Sequence, residues 1–256
     1  MIEVIVMQQR RQKIVELINR EGQISFSRLK MAFPEVSEMT LRTDLKNLDE
    51  MGAIIRVHGG ARSMDTLAGT DGTLTQRTAR NVAPKNEIAI KARSLLRSGA
   101  SLFIDSGSTT TAFCRQLPNE SRQIYTSGLS CAMELCALDQ PKIHITGGQV
   151  SRDSISIVGA QSVLGLRNCH FDICFLGTTS FSPEHGFCCE HRDDALLKSV
   201  AIHQSDYVVV LMDSGKYGLS NTHCFAELSD VDAVVSDSAL TAEQKKYFLD
   251  HGVMVL

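Results

Sequence analysis

From residue 77 to the end of the chain, short apolar segments alternate with stretches of helical periodicity, and this pattern constrains the fold most strongly. The apolar segments with the length of a strand are 101–104, 123–126, 142–146, 172–176, 206–212 and 232–236. Helical stretches lie between most of them, around 85–97, 110–117, 128–138 and 190–204. This alternation predicts an α/β fold with a largely parallel sheet covered by helices on both faces. Such sheets bind ligands beyond the carboxyl ends of their strands.

The N-terminal segment follows a different pattern, which predicts three short helices and a hairpin. Ile14, Leu17 and Ile18 are spaced to lie on one face of the first helix. Ser25 and Ser37 stand where a hydroxyl can accept a hydrogen bond from a free backbone N–H group at a helix start. We therefore expect these two serines to cap the second and the third helix.

The third helix is predicted to have one apolar and one polar face. Leu41, Leu45 and Leu48 are spaced to face a core. The other face carries side chains that can hydrogen-bond to DNA bases: Thr40, Arg42, Thr43, Lys46 and Asn47. A short helix, a tight turn and a second helix of this kind are typical of a helix-turn-helix. The alternative is a solvated face whose cations pair with Asp44 and Glu50.

A basic hairpin follows the third helix and favours the DNA-binding interpretation. Residues 54–58 have the pattern of a strand, and Gly59-Gly60 permits a two-residue turn. Cations on such a hairpin can contact phosphates or the minor groove beside a recognition helix. We therefore predict a winged helix-turn-helix that binds double-stranded operator DNA. The residues expected to contact it are Ser37, Thr40, Arg42, Thr43, Lys46, Arg56, His58 and Arg62.

Residues 63–76 are polar, rich in Gly and Thr and without periodicity, so they predict a linker between domains 1–62 and 77–256. The first domain carries ten Lys and Arg residues against eight Asp and Glu, whereas the rest of the chain carries sixteen against twenty-one. A net charge of −3 excludes a generally basic coat for nucleic acid. A mildly basic domain on an acidic body is still compatible with a local DNA-reading patch.

The end of the first strand in the C-terminal domain predicts an anion site. Residues 101–104 lead into a Gly-, Ser- and Thr-rich segment, 105–111, that opens a helix. A glycine, hydroxyl groups and free helix N–H groups can together cradle a phosphate. The lysine of a nucleoside-triphosphate loop is missing, so that class of ligand is not expected. The alternative is a helix cap that binds no ligand.

Residues at or after other strand ends extend this predicted site. Glycines let a ligand approach the backbone closely, and charged side chains can hold sugar hydroxyls and phosphate. The pair Asp213 and Lys216 directly follows the apolar run 206–212. The residues expected to bind an effector are Asp105, Ser106, Gly107, Ser108, Thr109, Thr110, Gly147, Gly148, Gly177, Glu190, Lys198, Asp213 and Lys216.

The remaining motifs predict no catalytic residue, metal or cofactor. The eight cysteines form no CxxC pair and are expected to be reduced and mostly buried. Residues 185–191 crowd five possible metal ligands together, but no second pair follows at zinc spacing, so loop thiols are the favoured interpretation. No apolar run is long enough to span a membrane, and the apolar residues 1–7 are too few for a signal peptide. We expect a cytoplasmic protein.

Two sets of motifs resemble the DeoR family of bacterial transcriptional regulators. The first set is Val36–Leu45, Leu48, Gly52 and the Arg-Val-His-Gly-Gly segment 56–60. The second set, in order along the C-terminal domain, is 105–110, Gly147-Gly148, Gly159, Gly177, Lys198 and 213–216. Together they cover nearly the whole chain.

This resemblance implies a winged helix joined to a domain similar to ribose-5-phosphate isomerase and coenzyme A transferases. It implies a repressor of a sugar or polyol operon that binds a phosphorylated sugar and assembles as a homodimer or homotetramer. Thr40, Arg42, Thr43 and Lys46 would enter the major groove, and the hydroxyls of 106–110 would hold the effector phosphate.

Two alternatives remain open at this stage. One is a sugar-phosphate isomerase-like enzyme, with Asp105 or Glu190 as the base and Lys198 as its electrostatic partner. The other is a protein-interaction module whose winged helix binds a partner protein instead of DNA.

Overall fold

The computed structural model describes residues 2–21, 23–51, 53–57, 59–63 and 73–256, with all their side chains except those of residues 2–6, 9, 20 and 23. Gly52 and His58 lie outside the described residues, as do residues 64–72 of the predicted linker. The chain divides into two compact units, Met1–Thr70 with Thr75–Arg80, and Asp71–Leu74 with Asn81–Leu256. The last three residues of the predicted linker begin helix α4 (Leu74–Ala79). The boundaries at 62 and 77 stay a prediction.

The first unit contains a helix-turn-helix and a three-stranded sheet. Its elements before α4 are α1 (Ile2–Glu21), β1 (Gln23–Ser25), α2 (Phe26–Ala32), α3 (Glu38–Glu50), β2 (Ile55–Val57) and β3 (Gly60–Arg62). The sheet order is β1-β3-β2, with both pairs antiparallel. The predicted helices and hairpin are confirmed, whereas β1 was not predicted. Three residues are too few for polar–apolar alternation to identify a strand.

Both predicted caps and most of the predicted core of this unit are confirmed. Ser25 Oγ accepts a hydrogen bond from Arg28 N at 3.2 Å, and Ser37 Oγ accepts one from Thr40 N at 3.1 Å. The six apolar residues predicted to face inward on α1 and α3 are buried: Ile14, Leu17, Ile18, Leu41, Leu45 and Leu48. On α2, the predicted inner residue Leu29 is buried, but Ala32 is exposed and Phe33 is half-buried. The apolar face of α3 is thereby fixed, and its polar face is turned to the outside.

The second unit is built on a seven-stranded parallel sheet. Its strands are β4 (Leu102–Ile104), β5 (Gln123–Thr126), β6 (Lys142–Ile145), β9 (Ile173–Gly177), β12 (Val208–Leu211), β14 (Ala233–Val235) and β15 (Met254–Val255). Their order is β15-β14-β12-β9-β4-β5-β6. The helices are α5 (Val82–Arg93), α6 (Ser108–Cys114), α7 (Leu129–Leu135), α8 (Ala160–Leu166), α9 (Arg192–His203) and α10 (Ala242–Asp250). The predicted α/β fold is confirmed.

Two small antiparallel sheets complete this unit, and neither was predicted. One is the hairpin of β7 (Gln149–Ser151) and β8 (Ser156–Val158). The other has the order β10-β11-β13, from Ser180–Ser182, Gly186–Cys189 and His223–Ala226. These strands have three or four residues each, which is too short for a periodicity signal.

Alternating residues of the central strands pack on opposite faces of the large sheet. In β9, Ile173 and Phe175 belong to one buried cluster, and Cys174 and Leu176 belong to the other. Side chains in a strand point alternately to the two faces, so both faces must be covered by helices or loops. This double coverage explains why the strands appear in the sequence as continuous apolar runs.

The cysteines depart from the prediction at one pair. Cys188 in β11 and Cys224 in β13 are partners across the antiparallel ladder and form a disulfide. The prediction that all eight thiols are reduced is therefore wrong for this pair. The two cysteines are 36 positions apart, and the sheet that joins them left no recognisable pattern in the sequence. Of the other six, only Cys136 is exposed and only Cys169 is half-buried.

The described residues contain neither a cluster of metal ligands nor a membrane-spanning helix. No group of three or more His, Cys, Asp or Glu side chains in this part of the chain is arranged to hold a metal ion. None of the helices described here is both long enough and apolar enough to cross a membrane.

Candidate functional sites

The outer face of α3 presents two exposed cations. Arg42 and Lys46 each have a side-chain exposure of 64%. Each has an acidic neighbour one helical turn away, with Arg42 at 3.8 Å from Glu38 and Lys46 at 3.6 Å from Glu50. Exposed pairs of this kind contribute about 0.3–0.5 kcal/mol. Both cations can therefore leave their neighbours for a phosphate or a base at little cost.

The position of Arg42 is further defined by an aromatic ring on the preceding helix. Its guanidinium carbon lies 4.2 Å from the ring centroid of Phe26, at the start of α2. A cation over a ring face is attracted by about 0.5–1 kcal/mol at an exposed site. Phe26 and Arg42 also line a groove of about 400 Å³ with Arg56 and Gly60 of the hairpin. The groove places a recognition-helix cation and a hairpin cation next to each other.

The predicted hydroxyl residues of α3 have structural partners. Ser37 Oγ lies 2.8 Å from Thr40 Oγ1 in addition to capping the helix, and Thr43 Oγ1 donates to Met39 O at 2.9 Å. Thr43 is exposed and Thr40 is half-buried. Ser37 therefore has a demonstrated role in starting the helix, and its contact with DNA stays a prediction.

The hairpin carries its two described cations on the outside. Arg56 and Arg62 are exposed, while Ala61, in the middle of β3, is buried. Arg56 N donates to Asp49 Oδ1 at 2.9 Å, which ties β2 to the end of α3. A Cβ at Gly60 would lie 2.1 Å from Ile24 O, so only glycine lets β3 pass this close to β1. The wing is thus fixed to the recognition helix.

Sequence reasoning missed the side chain that joins α1 to α3. Asp44 is 1% exposed, and its carboxylate accepts from Arg10 Nε at 2.6 Å and from Arg11 Nε at 2.8 Å. The proposed alternative, in which Asp44 pairs with outward cations of α3, is therefore wrong. The signal was present in the sequence, because Asp44 is three residues after Leu41 and one before Leu45, on the core face.

In the second unit, the segment after β4 forms the predicted loop. Gly107 has a φ of +143°, which favours glycine, and precedes the first residue of α6. The hydroxyls of Thr110 and Thr111 donate to the carbonyl of Gly107 at 2.9 and 2.7 Å. Ser106 and Ser108 are both 9% exposed. Two threonines therefore hold the shape of the loop, and its two serines are almost fully buried.

A buried ion pair lies beside this loop. Lys198 Nζ, from α9, donates to the Asp105 carboxylate and to Gly177 O, the latter at 2.9 Å. Gly177 N donates to Asp105 Oδ2 at 3.1 Å, which closes the triangle. The two side chains are only 6% and 4% exposed. Burial opposes the charged form of Lys198, but the acidic groups around it, Asp105 first among them, together outweigh burial, so the pKa of Lys198 lies above its ordinary value.

The other predicted effector residues lie at several points around the same sheet edge. Asp213 is buried and Lys216 half-buried, in a short 3₁₀ turn after β12, the strand next to β9. Gly147-Gly148 follows β6, two strands from β4. Glu190 follows β11 of the small sheet. Asp105, Gly177 and Lys198 are thus in direct contact, while roles for the remaining residues stay predictions.

Gly148 has a structural reason to be glycine. Its φ is +144°, and a Cβ there would lie 2.5 Å from both Ser162 Oγ and Val158 O. Ser162 Oγ also donates to Gly147 O at 2.6 Å. These contacts fix the turn between β6 and the β7–β8 hairpin without any ligand.

The first unit is a winged helix-turn-helix with exposed cations, and the second is an α/β unit with a charge cluster at its strand edge. This combination is typical of DNA-binding regulators that have a sensor domain. The chain belongs to the DeoR family within that class. Residues 10–67 match the model of the DeoR-like helix-turn-helix domain, and residues 80–238 match that of the DeoR C terminal sensor domain.

Two relatives named as transcriptional regulators agree with this assignment. The chain is 30% identical over 249 residues to the HTH-type transcriptional regulator GlpR of Haloferax volcanii, across 97% of this chain and 96% of that one. It is 28% identical over 209 residues to the HTH-type transcriptional repressor GlcR of Bacillus subtilis, across 79% and 78%. Ribose 5-phosphate isomerase A of Methanocaldococcus jannaschii superposes with a TM-score of 0.40 and 17% identity, over 54% of this chain and 55% of that one.

These matches decide between the interpretations that the sequence left open. The chain is a DNA-binding transcriptional regulator and not an enzyme. The contact of Lys198 with Asp105 is the pair that the enzyme alternative also expected, so the family assignment and not this contact excludes that alternative.

Proposed function

We propose that the chain represses an operon for sugar or polyol use, and that a phosphorylated sugar bound at the strand edge changes its affinity for the operator. The observation that carries this proposal is the buried triangle of Asp105, Lys198 and Gly177 beside the hydroxyl loop 106–110. The desolvation of two buried charges destabilises a fold by more than their mutual attraction stabilises it, unless the geometry of the pair is very good. A buried pair at a ligand-binding edge is therefore more typical of a binding site than of a structural one.

The loop and the ion pair supply complementary groups for a sugar phosphate. Ser106 and Ser108 offer hydroxyls, and Gly107 lets the backbone approach the anion. Lys198 provides a positive charge at the back of the site, and Asp213 and Lys216 are at the next strand end. The remaining predicted residues Thr109, Gly147, Gly148 and Glu190 complete the proposed site. The repressor name of the relative GlcR supports the sign of regulation.

On the DNA side, α3 is proposed to enter the major groove and the hairpin to contact phosphate. Arg42 is the residue best placed to read a base, since arginine can bond two acceptors of guanine at once. A dyad-related pair of recognition helices is needed to read a palindromic operator, so we propose a homodimer or homotetramer.

The proposal is tested by selecting genomic fragments on the purified protein and measuring operator affinity by fluorescence anisotropy, with and without sugar phosphates. We expect salt-dependent, sequence-selective binding that at least one sugar phosphate weakens. We expect Arg42→Ala to weaken this binding and to reduce its preference for the selected fragments. A matched exposed substitution in the other unit, Arg115→Ala, should leave binding unchanged. Salt-insensitive adhesion to every fragment would refute the DNA function. Selective binding that no member of the set alters would refute the effector role.

A further inference from the structure

A cavity of about 530 Å³ opens between the β7–β8 hairpin and the start of α9. Gln149, Arg152 and Val158 line it from the hairpin, and Arg192 and Asp194 line it from the helix. None of these five residues was predicted to bind a ligand. The volume lies within the range of about 300–1,000 Å³ that is typical of small-molecule pockets. It is larger than a phosphate group requires.

The wall of this cavity is joined to the hydroxyl loop by a short chain of contacts. Ser156 Oγ, in the hairpin, donates to Asp194 Oδ1 at 3.2 Å. Ser156 also forms an antiparallel bridge with Gly128. A Cβ at Gly128 would lie 3.0 Å from Ser106 Cα, so Gly128 packs closely against the loop and links the hairpin to it. Asp194 is one helical turn before Lys198 on α9, and it therefore stands between the cavity and the buried ion pair.

The charges around the cavity favour a ligand with hydroxyl groups at this end. Three carboxylates, Asp153, Asp193 and Asp194, line it together with the guanidinium groups of Arg152 and Arg192. Carboxylates accept hydrogen bonds only, so they bind hydroxyl donors and repel a second anion. Among the described residues no three potential ligands converge on a metal ion, so the carboxylates do not form a cation site.

Asp194 is the most enclosed of the three carboxylates. It is half-buried, whereas Asp153 and Asp193 are exposed. Burial raises the pKa of Asp194, and the positive charge of Lys198 opposes this rise. Burial deprives the Asp194 carboxylate of hydrogen bonds from water. A hydroxyl donor of the ligand would replace those lost hydrogen bonds.

We propose that Asp194 is the specificity-determining residue of the effector site, which accepts hydrogen bonds from hydroxyl groups of the sugar or polyol while the phosphate occupies the loop. The ligand therefore extends from residues 106–110 past Asp194 into the cavity. This inference rests on the proposed function, because it assigns the non-phosphate part of the same effector.

The test is isothermal titration of the full-length protein with inorganic phosphate, glycerol 3-phosphate, ribose 5-phosphate, glucose 6-phosphate and fructose 1-phosphate. We expect at least one sugar or polyol phosphate to bind the unaltered protein more tightly than inorganic phosphate does. Asp194→Asn should weaken that compound at least tenfold and change the affinity for inorganic phosphate less than twofold. Asp194→Ser replaces the carboxylate by a smaller side chain, and it should change the two affinities in the same way.

The matched control is Glu243→Gln, which removes an exposed carboxylate from the first turn of α10 and should change neither affinity. Equal losses for inorganic phosphate and the sugar phosphate would overturn the inference, because Asp194 would then only position Lys198 or the loop. Unchanged affinities in both Asp194 variants would overturn it as well. In both cases the unaltered protein still binds a sugar phosphate, so the proposed function stands. If it binds none of the compounds, the proposed function fails and this inference fails with it.

Discussion

The two charged sites of this protein are built in opposite ways. The cations on the outer face of α3 are about two-thirds exposed and paired at 3.6–3.8 Å with neighbours on the same helix. The Lys198–Asp105 pair is almost fully enclosed and joins α9 to the end of β4. Exposed cations are suited to a large polyanion, because they exchange weak partners for phosphates. An enclosed pair is suited to a small ligand, since its geometry is set before the ligand arrives.

The largest expected effect comes from breaking the enclosed pair. Lys198→Met leaves the Asp105 carboxylate buried without its cation, so we expect a loss of about 3–5 kcal/mol in the free energy of unfolding of the second unit. Urea unfolding measures this loss. In the double variant with Asp105→Asn, the loss should be smaller than in Lys198→Met alone.

The matched control for this experiment is an exposed lysine–aspartate pair in the same unit. Lys246 and Asp250 on α10 are 72% and 55% exposed. Lys246→Met should change the free energy of unfolding by no more than about 0.5 kcal/mol. Equal losses in Lys198→Met and Lys246→Met would contradict the contrast between an enclosed and an exposed site.

The next effect tests whether the exposed face depends on a buried support. Asp44→Ala leaves Arg10 and Arg11 without their shared acceptor, and we expect a loss of about 1.5–3 kcal/mol in the stability of the first unit. Circular dichroism during thermal unfolding measures the loss. Asp49→Ala, which removes only the acceptor of Arg56 N, should cost less. The reverse order would show that α1 is not held through Asp44.

A third effect concerns sequence discrimination. Arg42→Ala should reduce the preference for the operator over unrelated DNA by about 1–3 kcal/mol, because one bidentate base contact is lost. Its free energy of unfolding should fall by no more than about 1.5 kcal/mol, since the exposed side chain loses only its contacts with Glu38 and the Phe26 ring. Competition binding with scrambled DNA checks the first value. A uniform loss on all sequences would make Arg42 a phosphate contact instead.

The smallest effect is expected at the wing. Arg56→Ala and Arg62→Ala should each weaken DNA binding nearly equally on all sequences. Each should also reduce the slope of log affinity against log salt concentration by about one, because one phosphate contact is lost. Filter binding between low and moderate salt gives this slope. An altered base preference in either variant would place the wing in direct sequence reading.

The sequence was sufficient to predict those elements whose apolar residues recur at regular spacing or whose ends carry capping residues. Six of the seven strands of the large sheet, all but the two-residue β15, and the caps at Ser25 and Ser37 were found from apolar spacing and capping residues. No local pattern pairs Asp105 with Lys198, because 93 positions separate them; the enzyme alternative named Lys198 as the partner of either Asp105 or Glu190. The cavity beside Asp194 was missed for the same reason. Its walls come from a hairpin of three-residue strands and from a helix more than thirty residues later.

Cys188 shows the same limit for covalent structure. Eight cysteines without a CxxC pair gave no reason to join this residue to Cys224. The two meet only because β11 and β13 are neighbours in a small sheet, with the bulge between Phe187 and Cys188 setting their register. Long-range contacts through irregular strands are the part of this fold that local patterns do not encode.

The coupling between the two sites is the central claim, and one linked titration tests it directly. The affinity of the full-length protein for a sugar phosphate is measured with and without saturating operator, and the operator affinity with and without that sugar phosphate. The account predicts that each ligand weakens the other by the same factor, as linkage requires, and that Lys198→Met abolishes the effect. Sugar-phosphate binding that leaves operator affinity unchanged would contradict it.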